Sequence, residues 1–184
     1  MTTDQVPDTV ADEECLVRNV YTPFHVESKQ GGKVLKEAAF IPPKQRESQL
    51  FSNEISTLRV SYTNVQFCKE HGRRIASNRD QIGFAVIKVA NLRSIEPLAC
   101  EVKSTKLMEQ EPPLPMHADI IYNFTPQSGV PIPHQIKQVF KAIAREHACF
   151  YEDPKPESAD WQGNDKLTFP CLLCVRCQNR STSV

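Results

Sequence analysis

Ile82-Gly-Phe-Ala-Val-Ile-Lys-Val-Ala90 decides the reading of this chain. Apolar side chains run through it almost without interruption, the pattern of a central strand buried on both faces rather than of a strand with one wet side. Everything else is placed around it. Upstream, residues 64–77 read as a helix. Thr63 and Gln66 have capping-box spacing, and Val65, Cys68, Gly72, Ile75 and Ala76 recur near the 3.6-residue period. Gly72 costs a helix about 1 kcal/mol relative to alanine, so it marks a break or a close contact. Residues 55–60 form a short strand. Residues 16–26 and 34–41 read as two strands joined into a hairpin through a glycine-containing turn and ended by Pro42-Pro43, because proline cannot donate to a ladder.

Downstream, residues 98–102 and 117–124 are further strands. The strongest helical pattern lies at 134–148, where Ile136, Val139, Phe140, Ile143, Ala144 and His147 share one face and Lys137, Lys141, Arg145 and Glu146 the other. Residues 151–166 read as a loop over the surface carrying Trp161, and 167–177 as an added edge strand. Residues 1–13, acidic and without a basic residue, read as a solvated tail. A single domain then spans 14–177, followed by a polar tail at 178–184. The expected class is α+β: a mixed or antiparallel sheet of about five to seven strands with two main helices.

Composition narrows the function classes. The 184 residues carry 22 basic and 22 acidic side chains. Nucleic-acid binders draw most of their non-specific affinity from basic excess, so no nucleic acid is expected. No apolar run approaches the roughly 20 residues of a membrane span, and the N-terminus has neither the basic start nor the apolar stretch of a secretory signal. The expectation is a cytoplasmic protein whose seven cysteines are reduced thiols.

Candidate sites are few. Cys171-Leu-Leu-Cys174-Val-Arg-Cys177 has the spacing of a thiolate metal site, with His147 or Cys149 as a fourth ligand and zinc as the metal. Leu172, Leu173 and Val175 favour a regular backbone over a knuckle, so packing thiols are the preferred reading and no cofactor is expected. Pro170-Cys171-Leu-Leu-Cys174 is similar to half of the zinc-deaminase signature. The residue two places after His147, where that family carries its proton-shuttling glutamate, is Cys149. His117 and Asp119 share one face of a strand, as a base and its orienting carboxylate would. Cys68 and His71 stand one helical turn apart. Arg73, Arg74 and Arg79, with Lys69, form the one basic cluster, and Trp161 is an aromatic anchor of the kind that dominates interfaces. No phosphate-binding glycine loop, nucleophile elbow or metalloprotease motif is present.

Three short segments, Ala39-Phe-Ile-Pro-Pro43, Ile55-Ser-Thr-Leu-Arg59 and His117-Ala-Asp-Ile-Ile-Tyr122, resemble a pattern in small uncharacterised bacterial accessory proteins: an F-x-P segment, an L-S-x-x-R-like segment and a later H-A-x-I strand. The resemblance covers roughly residues 38–150, implies an accessory protein and carries over no catalytic residue. With neutral charge and stiff proline loops, it leads to one functional expectation. The chain is a non-enzymatic protein–protein interaction module, an accessory or regulatory subunit of a bacterial complex, contacting its partner through Arg73, Arg74, Arg79 and Trp161. The alternative is a zinc-binding protein built on the C-terminal cysteines.

Overall fold

A computed structural model describes residues 5–30, 32–45, 48–96 and 98–171. The architecture is α+β. Six strands form one antiparallel sheet in the order β6-β7-β4-β1-β5-β8, where β1 is Cys15–Thr22, β4 Glu54–Arg59, β5 Asp80–Lys88, β6 Glu101–Ser104, β7 His117–Ile121 and β8 Ala148–Glu152. A separate hairpin pairs β2 (Val26–Lys29) with β3 (Gly32–Leu35). As its composition requires, β5 is buried along nearly its whole length. It pairs with β1 on one side and β8 on the other. A bulge opposite Val20 and Tyr21 shifts the β1–β5 register. Gly83 sits there at φ +152°, where a Cβ would strike the Tyr151 carbonyl, so this position demands glycine.

Alternation along the strands makes two cores. On one face Leu16, Val20, Ala85, Ile87, Ala118 and Ile120 pack against Ile136, Val139 and Phe140 of helix α3 (His134–Ala142) and against the short helix α2 (Val89–Arg93). On the other face Val17, Leu58, Phe84, Val86 and Cys149 meet Cys68 of helix α1 (Val65–Ile75), together with Trp161, Leu167 and Cys171. Helix α1 lies over β1 and β5. It approaches so closely at Gly72 that a Cβ would collide with the Asn19 side chain, so of the two readings of that glycine the close contact is the one observed.

Several expectations change. Residues 5–13 are not a solvated tail: Val6 and Val10 are buried. The buried guanidinium of Arg59 takes the carbonyls of Pro7 and Thr9 and both carboxylate oxygens of Glu14, at 2.7 and 2.8 Å. The first expected strand ends before Pro23 and pairs with β4 and β5 instead of with residues 34–41; the hairpin that forms, β2 with β3, lies largely within the expected turn, and residues 37–40 turn into a 3-10 helix. The cap of α1 is Asn64, whose side chain accepts from the Phe67 N–H at 2.8 Å, in place of the Thr63–Gln66 pair. Helix α3 gives way to a π-helical turn at Ile143–His147, and β8 begins at once, within what the periodicity makes helix. Residues 167–171 are irregular.

The segment after β8 is the largest departure. Expected as a surface loop, it is sealed to α1 by a buried ion pair between Lys69 Nζ and Asp153 Oδ2 at 2.6 Å. Lys69 also donates to the carbonyls of Lys155 and Asp160. Trp161 follows. The residue is 8% exposed, its ring centroid lies 4.5 Å from that of Phe84, and its indole N–H donates to the Asn164 carbonyl.

Candidate functional site

The sheet contains a split. Strands β1 and β4 pair only at Leu16–Arg59 and Val17–Leu58. Beyond that point β4 continues along β7 while β1 follows β5, and the two part. Arg18, on the core-facing side of β1 with Leu16 and Val20, fills the parting. Its Nε donates to the Ala39 carbonyl at 2.6 Å and its Nη1 to the Ser56 carbonyl at 2.9 Å, standing in for the missing ladder. Over this opening lies a groove of about 390 Å³, which also touches Asn19, Tyr21, His25, Ile41, Pro43, Glu54, Ser56, Leu58, His71, Ile75, Arg79 and His117.

The groove is rich in nitrogen donors. Arg79 stacks its guanidinium 4.4 Å over the Tyr21 ring and donates through Nε to the Ala76 carbonyl. Among the described residues neither Arg18 nor Arg79 has an ion-pair partner within 4.0 Å. His25 is buried, and its Nδ1 accepts from the Tyr21 N–H, so Nε2 carries the proton. Burial, then the Arg18, Arg79 and Lys36 charges, push its pKa down to about 4. His71 Nδ1 lies 2.9 Å from Arg74 Nη2, which can only donate, so this imidazole too keeps its proton on Nε2. Burial and the neighbouring Arg74 and His117 bring it to about 4 as well. Two neutral imidazole donors thus stand beside two cations.

Of the residues singled out in the sequence, His117 and Asp119 do share a face, and both are buried. A residue the sequence reading missed links them. Thr105 Oγ1 donates to Asp119 Oδ2 at 2.6 Å, while His117 Nδ1 reaches Thr105 Oγ1 at 2.8 Å and the Thr105 carbonyl at 3.1 Å. A carbonyl only accepts, so Nδ1 is the protonated nitrogen, and Nε2 stands 3.9 Å from Asp119 Oδ1. This orients an imidazole at the groove wall. Among the described residues no thiol lines the groove: Cys68 faces the core, fully buried, and burial pushes its pKa up to about 12. The Cys68–His71 pairing therefore dissolves, the histidine turning to the groove and the cysteine away from it.

The arginine cluster disperses. Arg79 enters the groove, Arg73 donates to the Ser158 carbonyl at the surface, and Arg74 holds His71. Trp161 is a core residue and offers no exposed anchor. For the metal reading, Cys171 is buried and its N–H reaches Cys149 Sγ at 3.3 Å, while His147 lines a separate groove with Gln138 and Lys141 beside α3. Cys174 and Cys177 lie outside the described residues. Among the described residues no three His, Cys, Asp or Glu side chains converge on a point that could hold a metal, and no helix is long and apolar enough to cross a membrane.

Arg18 had a sequence signal, a charge at a core-parity position of an apolar strand. His25 and Thr105 had none, since their roles depend on neighbours far along the chain. No family model matches this chain, and no curated protein or solved structure matches it either.

Proposed function

We propose that this chain is a protein-binding module, an accessory or regulatory subunit that works without catalysis, and that its partner docks in the groove over the β1–β4 parting. One observation carries the reading: the sheet is opened at its middle, and the opening is lined by polar side chains, Arg18 and Arg79 among them, that are anchored on backbone carbonyls. A fold that needed only stability would complete the ladder there. Ile41 and Pro43, Ser56, and His117 come from the three segments whose pattern resembles bacterial accessory proteins, and all four line this one groove. That convergence supports a bacterial setting and a shared binding role. Arg79, one of the cations expected at the interface, is in the groove wall, while Trp161 drops out of the contact surface.

The test places a photo-crosslinking amino acid at Ser56, which is exposed, and, as a control, at exposed Lys137 on α3. In native cells the Ser56 probe should give one discrete protein adduct and the Lys137 probe none. The captured protein, purified separately, should bind the wild-type chain and fail to bind Ser56→Trp, whose bulky uncharged side chain occupies the groove. No adduct at Ser56, or equal adducts at both positions, removes the proposal.

A further inference from the structure

We propose that the group this groove recognises is a phosphate monoester carried on a segment of the partner protein, held between the guanidinium groups of Arg18 and Arg79. The inference rests on the binding reading above and adds the chemistry of the contact.

Two guanidinium groups share one recess with no carboxylate paired to either among the described residues. Like charges brought together and partly withdrawn from water repel, and such an arrangement is costly unless an anion completes it. Both are fixed by backbone carbonyls, Arg18 by Ala39 and Ser56, Arg79 by Ala76. Neither must be reorganised on binding, and each keeps N–H groups to spare. Planar guanidinium forks match phosphate oxygens two at a time. The imidazoles of His25 and His71, each with Nε2 protonated, line the same recess and add donors. The acids nearby are committed or peripheral: Asp119 accepts from Thr105, and Glu54 is exposed at the rim.

A dianion suits two cations better than a single carboxylate, and a phosphate monoester is mostly dianionic at neutral pH. Nucleic acid is the weaker reading, because the chain has no basic excess and the cations gather in one recess instead of forming the track a phosphate backbone follows.

Calorimetry and histidine-detected NMR on the full chain, at matched ionic strength, decide the matter. The probes are a phosphoserine octapeptide with glycine and alanine flanks, its unphosphorylated twin, inorganic phosphate, and an oligouridylate of eight residues. The phosphopeptide should bind at least tenfold tighter than each of the others and shift the His25 and His71 resonances. Arg79→Gln should weaken it tenfold or more, while Arg73→Gln, altering an exposed arginine outside the groove, stays within twofold. The urea midpoint of Arg79→Gln confirms that it is folded. Arg18→Gln is the secondary variant, since losing two backbone contacts threatens the fold. The proposal is overturned if the twin, free phosphate or the oligonucleotide binds as tightly as the phosphopeptide, or if the two arginine variants behave alike. A Ser56 crosslink that persists while the phosphopeptide fails to bind overturns the phosphate assignment and leaves the docking site standing.

Discussion

Breaking the Lys69–Asp153 pair tests the account of how the long segment after β8 is held. The two side chains are fully buried, with Nζ 2.6 Å from Oδ2. Lys69 spends its other donors on the Lys155 and Asp160 carbonyls, at 3.2 and 2.8 Å, and Asp153 Oδ1 accepts from the Lys155 N–H at 3.0 Å. Asp153→Asn keeps the last bond but leaves an ammonium in the core with no counter-charge. Removing one partner of a buried pair costs roughly 3–5 kcal/mol. With two carbonyls still solvating the ammonium, the lower end, about 3 kcal/mol, is expected. Lys69→Met strands a carboxylate and two carbonyls, each orphaned carbonyl costing about 1–3 kcal/mol, so its loss should exceed that of Asp153→Asn. In the double variant Lys69→Met/Asp153→Leu no charge remains. Its cost should then fall short of the sum of the two single losses by about 2 kcal/mol or more, the coupling of a directly interacting pair. Urea unfolding followed by the fluorescence of Trp161, the sole tryptophan, reports on this segment. With a slope near 2 kcal/mol per molar urea, a 3 kcal/mol loss moves the midpoint by about 1.5 M. Single-variant losses under about 1 kcal/mol, or losses that simply add, would refute the idea that this pair seals the segment to α1.

Two further outcomes follow from the same structure. His25 has a folded pKa of about 4 against an ordinary 6.5. The unfolded chain therefore binds its proton first, and stability falls as pH drops below about 6.5, levelling near 4. A gap of 2.5 units is worth up to about 3 kcal/mol. His25→Asn, which can still accept from the Tyr21 N–H, should make that limb shallower while His71, also held at about 4, keeps its share, and an unchanged profile of urea midpoint against pH would contradict the burial argument. Gly72→Ala gains helix propensity but meets the Asn19 side chain. It should lower the midpoint by an amount on the order of 1–2 kcal/mol, with Asn19→Ala restoring stability in that background. A stabilised single variant would show that α1 does not press on β1 there.

What was legible in the sequence is what depends on contacts a few residues apart. The apolar run from Ile82 made β5, the i, i+3, i+4 pattern from Ile136 made α3, and the alternation around Ala118 and Ile120 made β7. Burial follows from side-chain hydrophobicity and backbone period, and both are local. The strand that follows was illegible, although the helical period through His147 was right to within a residue of where helix ends. Pairing with β5 then draws residues 148–152 into a strand, and tertiary hydrogen bonds outweigh propensity.

Charged residues misled for the same reason. A lysine at 69 and an aspartate at 153 read as surface charges and the arginine at 59 drew no reading of its own, yet each is buried against a partner 45 or more positions away along the chain. Composition alone settled that acidic and basic charges balance; only the folded chain settled which of them are neutralised and which, like Arg18 and Arg79, line one groove without a counter-charge among the described residues. The groove owes its existence to two strands that separate after two residue pairs. No local pattern encodes that separation, because it is set by what β4 and β1 each pair with on their other sides.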